Sequence, residues 1–188
     1  MPYRITGLDE ADQILTDHPF ALLAGMMLDQ QYPMEHAFRG PAKVTERLGT
    51  FDPHVIATAD PEEFQALCSQ PPAVHRFPGS MAARLQELAR IVVETYDGHA
   101  ERIWTEATAG RDLARRLQAL PGFGAQKAKI FVALLAKQAG VRPEGWEAVA
   151  GDYALDGYRS VADVVDPESL LKVRDYKKAK KAEAKAAG

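Results

Sequence analysis

The sequence predicts an all-α fold, built as one compact domain or as two small lobes sharing a core. Apolar residues recur at spacings of three and four along nearly the whole chain. No stretch alternates apolar and polar residues for more than a few positions, and Pro and Gly punctuate the gaps between periodic segments. With 188 residues, the chain is long enough to bury roughly 70% of its unfolded surface without disulfides or metals.

The elements follow in order. Leu8 to Thr16 is the first predicted helix. Pro19 to Gln30 is the second and holds the longest apolar run, Phe20 to Leu28; the run is far short of the roughly 20 residues of a spanning helix and reads as buried. Met34 to Leu48 comes next. Pro61 to Cys68 is opened by Asp60-Pro61-Glu62-Glu63, a capping carboxylate before a first-turn proline, with acids where the helix dipole favours them. Gly79 to Tyr96 has the clearest pattern: Met81, Leu85, Leu88, Val92 and Tyr96 share one face while Arg84, Glu87, Arg90 and Glu94 point away, and Asp97-Gly98 stops the helix. Arg111 to Leu120 and Ala125 to Ala139 form a helical pair around a sharp turn. Pro167 to Lys178 is the last predicted helix, again with a cap and a first-turn proline at Asp166-Pro167. Residues 1–171 form the predicted body. Residues 172–188 are expected to be a frayed helix or a disordered basic arm.

Composition narrows the function. The formal net charge is -3, but seven Lys or Arg stand against Asp175 and Glu183 from Lys172 onward, leaving a basic tail on an acidic body. Such an arm either adds phosphate attraction that weakens with salt or is a solvated helix end. The single cysteine, Cys68, cannot close an intrachain disulfide or supply the thiolates of an iron-sulfur cluster, and it reads as a small buried residue. His18, His36, His54, His75 and His99 are scattered without ligand spacing, so no metal held by side chains is expected. No charged head followed by an apolar stretch opens the chain, which makes the cytoplasm the expected location and a membrane partner unexpected.

One segment carries chemistry. Leu117 to Leu135 reads LQALPGFGAQKAKIFVALL: helix, Pro121-Gly122-Phe123-Gly124 turn, then a helix from Ala125 with no polar cap. Two glycines one residue apart admit close backbone approach, and a helix N-terminus presents unpaired N–H groups with partial positive charge, so the turn is an anion site. Phe123 between them reads as a plug that packs the hairpin onto the body. Lys127 and Lys129 add positive charge near the same mouth.

Leu120, Pro121, Gly122, Phe123, Gly124 and Ala128 resemble the helix-hairpin-helix motif of the base-excision DNA glycosylase superfamily that includes endonuclease III and the alkyladenine and adenine-mismatch glycosylases. The segment Leu22 to Gln31, ending Asp29-Gln30-Gln31, is similar to the family's early buried helix, and the helix from Met81 to Gly98 falls where the family has one upstream of the hairpin. The resemblance implies a two-lobed all-α fold with a DNA cleft, acting as a monomer on duplex DNA with a damaged or mismatched base. Leu120, Gly122, Gly124, Gln126 and Lys127 would lie at the DNA, with a monovalent cation often held by hairpin carbonyls and no other cofactor. Gln31 would enter the duplex beside the extruded base. Tyr32 and Trp146 are candidates for the base pocket.

Hydrolysis of the N-glycosidic bond needs a carboxylate under a sugar that becomes positive, where it can also orient water. The family's aspartate follows the hairpin, and here the choice stays open between Asp152, nearer in spacing, and Asp163, in an apolar lead-in before a helix. The position of the lysine with which strand-cleaving members form a Schiff base is Gln126. Lys127 points about 100 degrees around the helix from it, so hydrolysis without strand cleavage is expected. Two other readings remain: a hairpin-bearing DNA-binding module without catalysis, and an all-helical protein-interaction domain.

Overall fold

The structure is a computed structural model that describes residues 2–188, and none of these lies in a strand. The N-terminal helices are α1 (Asp9–Asp17), α2 (Pro19–Leu28), α3 (Met34–Phe38) and α4 (Gly40–Leu48). They are followed by α5 (Pro53–Thr58), α6 (Pro61–Ser69) and the long α7 (Pro78–Tyr96). The C-terminal part contains α8 (Arg102–Thr105), α9 (Gly110–Gln118), α10 (Ala125–Gln138) and α11 (Trp146–Ala150). Two 3-10 turns, Gly151–Ala154 and Val161–Asp163, lead to α12 (Pro167–Ala187).

α2 is the hub. Every residue from Phe20 to Leu28 is buried, as an unbroken apolar run demands, and the helix packs on α1, α3, α4 and α7. Gly25 is the price of that crowding: a Cβ there would lie 2.5 Å from Phe38 Cδ1, so no larger residue lets α3 cross so closely. The predicted helix Met34 to Leu48 breaks at Arg39 into α3 and α4, because Pro41 has no N–H and its ring would collide with the carbonyl four residues back. Arg39 itself turns inward, its Nε and Nη2 donating to the Thr6 carbonyl at 2.9 and 2.6 Å.

α7 buries Met81, Leu85, Leu88, Val92 and Tyr96 against α5 and α6, the face its periodicity predicts. Cys68 is buried, and desolvation pushes its thiol up to about 12, which makes it a packing residue rather than a nucleophile. α9 and α10 pair around the hairpin, and α10 packs on α11 and both 3-10 turns. Buried residues from Ile5 to Val173 form one hydrophobic cluster. The helix α12 continues to Ala187, where the sequence predicted fraying or disorder. Among the described residues, no helix is long and apolar enough to cross a membrane.

Candidate nucleic-acid interface and acidic site

The hairpin turn rests on the end of α2. Gly122 has φ +79°, and a Cβ on it would stand 2.8 Å from Met27 Cγ, so both the backbone conformation and the close approach require glycine. Phe123 is buried, with its ring edge-on to Phe131 at 6.1 Å: the plug that the sequence predicts. Gly124 differs from Gly122. A Cβ there would meet nothing within 4 Å, and no side chain caps α10 behind it. The first-turn amides of α10 therefore face outward through an open glycine.

The side chains around the turn divide. Gln126 is exposed, and its Nε2 donates to Tyr153 Oη at 3.0 Å. Leu120, expected at the DNA, belongs to the core, because the turn folds its apolar side chain inward. Lys127, also expected to face phosphate, instead reaches back to donate to the Met27 carbonyl at 2.9 Å. Burial lowers its ammonium to about 8, against the opposing pull of Asp29. Beside the hairpin, Arg111, Ala114, Arg115 and Gln118 of α9, with Ala119 just after it and Val149, line a shallow groove of about 520 Å³.

Inside the turn, at the end of α2, charged groups from four elements meet. Asp29 follows α2 and has a side chain only 9% exposed; its nearest cation is Lys177 of α12 at 3.9 Å, beyond hydrogen-bond reach. Burial raises its carboxyl above the ordinary range and Glu35 adds to the shift, while Lys177 and Lys127 oppose it. Glu35 of α3, also 9% exposed, lies 3.2 Å from Arg174 Nη1 through Oε1. Its Oε2 is buried without any hydrogen-bond partner. Arg174 and Lys177, three residues apart, share one face of α12, so the last helix straps both carboxylates.

Gln30 is fixed from three sides. Its Nε2 donates to the Met27 carbonyl at 3.0 Å, its Oε1 accepts from Arg84 Nη1 at 3.1 Å, and its carbonyl is 3.0 Å from His75 Nε2. His75 Nδ1 accepts the Phe77 N–H at 3.0 Å, so Nε2 carries the proton and the ring is neutral, consistent with the downward shift that burial gives it. Tyr32 packs between the rings of His75 and His36 at 4.8 and 5.9 Å. Gln31 is exposed at φ +51°, a left-handed conformation uncommon for a residue with a side chain, and projects from the bend.

The two aspartates read from the sequence differ sharply. Asp163 is occupied: Oδ1 takes Lys137 Nζ at 2.7 Å, and Oδ2 takes the amides of Arg159 and Ser160 at 2.8 and 3.3 Å. The capping box it completes with Ser160 gives it a structural role. Asp152 is exposed in the 3-10 turn next to Tyr153. Trp146 starts α11 with its backbone against Gly110. Reasoning from sequence missed Asp29, Glu35, Arg174 and Lys177. The signal was a charge directly abutting the all-buried run of α2, followed by a glutamate beside Met34, Ala37 and Phe38.

A family model described as HhH-GPD superfamily base excision DNA repair protein matches residues 24–186. No curated protein and no solved structure matches the chain.

Proposed function

The chain belongs to the HhH-GPD superfamily of base excision DNA repair proteins, and on that premise we propose that it is a monofunctional DNA N-glycosylase, extruding a damaged or mismatched base from a duplex and hydrolysing its N-glycosidic bond. The observation that supports this reading best is the uncapped N-terminus of α10 behind Gly124, open to solvent. It suits a phosphate oxygen, since free amides and the helix dipole act together. Arg111 and Arg115 in the adjoining groove extend the positive surface along the strand. A monovalent cation suits the turn as well: the Pro121 and Gly122 carbonyls accept no backbone hydrogen bond among the described residues, and a cation held there would add positive charge at the phosphate.

Extrusion costs a few kcal/mol of stacking and pairing, which these backbone contacts offset, and Gln31 stands ready to fill the vacated space. Two side chains support hydrolysis rather than strand cleavage. The amide of Gln126 stands at the position of the strand-cleaving lysine, and the Lys127 amine is held by Met27. The test is incubation with duplexes that each hold one modified or mismatched base. Alkali-labile sites without a borohydride-trapped adduct are expected. One observation favours the alternative of a binding module without catalysis, namely the full engagement of Asp163; salt-dependent duplex binding with no labile site on any duplex would establish it.

A further inference from the structure

Resting on the glycosylase reading, we propose that Asp29 and Glu35, supplied by the end of α2 and the start of α3, form the carboxylate pair that holds and deprotonates the attacking water, in place of an aspartate downstream of the hairpin.

Three observations carry the assignment. A carboxylate that serves hydrolysis needs free lone pairs. Asp163 already accepts three hydrogen bonds, one of them from Lys137, whereas Glu35 Oε2 is buried and unpartnered and Asp29 has no cation closer than 3.9 Å. An orphaned buried carboxylate oxygen costs free energy unless a donor visits it; water is the smallest such donor. Position is the second. Gly122 touches Met27, and Lys127 bonds the Met27 carbonyl two residues before Asp29, so the hairpin and the acidic pair share one end of α2. Electrostatics is the third. Burial above all, with Glu35 adding to it, makes Asp29 a better proton acceptor than a solvated carboxylate, while Lys177 of α12, Lys127 of α10 and His75 pull the other way. Asp152, solvated in an open turn, has no such setting.

The step balances. Water oxygen bonds to C1′ as the C1′–N bond breaks, the bonding pair leaves with the base, and the water proton passes to Asp29 and then to the departing base. The negative pair also opposes the positive charge that develops on the sugar. Arg174 and Lys177 are 53% and 42% exposed, leaving them able to take a phosphate as the substrate enters.

The experiment is single-turnover base release by the full chain on the duplex that wild type cleaves best. Asp29→Asn and Glu35→Gln should each slow release by roughly 100-fold or more, with duplex affinity held within about threefold. Asp152→Asn should release base at the wild-type rate. A purely structural role leaves the pH profile unmoved, so that profile is the second readout. Release should fall as pH drops through the raised Asp29 value, and Lys177→Met, which removes a cation that lowers that value, should move the midpoint upward. Formate should partly restore Asp29→Gly. Wild-type rates in Asp29→Asn, or loss of release in Asp152→Asn alone, overturn the pair. A wild type that frees no base from any duplex overturns the glycosylase reading itself.

Discussion

Lys127 Nζ donates to the Met27 carbonyl at 2.9 Å, joining the second helix of the hairpin to the C-terminal end of α2. The hydrogen bond places a cation where the carbonyl end of α2 is negative and where Asp29 is desolvated. It also removes the amine from solvent, which lowers it to about 8 from an ordinary value near 10.5.

A pH dependence of stability follows from that shift. The folded-state value is depressed, so between about 8 and 10.5 the unfolded chain binds more protons than the folded one, and stability rises with pH across that window. Chemical denaturation at several pH values between about 7.5 and 10.5 should show a steeper rise for wild type than for Lys127→Gln. Equal slopes would mean the amine is hydrated.

The two hairpin glycines should respond in opposite ways. Gly122→Ala meets Met27 and a positive φ, and should cost about 2 kcal/mol or more in urea denaturation. Gly124→Ala has room and φ -86°, and should fold with stability changed by less than about 0.5 kcal/mol. Its methyl group stands where a phosphate oxygen would approach, so its duplex affinity should fall in a filter or anisotropy titration.

Asp163→Asn should lower stability by about 2 kcal/mol, because it weakens the Lys137 pair and the acceptor for two amides. Base release per folded molecule should be unchanged. A melting curve and an active-fraction assay on the same preparation separate the two effects.

Arg111→Ala and Arg115→Ala should weaken binding to all duplexes alike. If each arginine neutralises one phosphate, each substitution should reduce the slope of log affinity against log salt by about one. A change confined to one base lesion would place these side chains in base recognition instead.

Long helices were legible because their apolar faces repeat over several turns, as in α7, and because Pro and Asp mark their starts. The short α5, α8 and α11 complete too few turns for periodicity to register, and the break between α3 and α4 lies inside a continuous periodic pattern that only Pro41 interrupts. The hairpin was legible for a local reason: its glycines act on their own backbone. The Asp29 and Glu35 site was not, since it depends on α10 and α12 arriving from the other end of the chain. Lys127 turned inward for the same reason, drawn by Met27, a partner 100 residues away in sequence.

The strap made by α12 has a practical corollary. Residues past Leu171 look dispensable, an accessory arm that could be trimmed for expression or replaced by an affinity tag. Trimming there would delete Arg174 and Lys177 and leave two desolvated anions side by side with Lys127 as their main neutraliser. A shortened protein that still melts cooperatively could therefore have a remodelled acidic site, and its activity would say little about the intact chain.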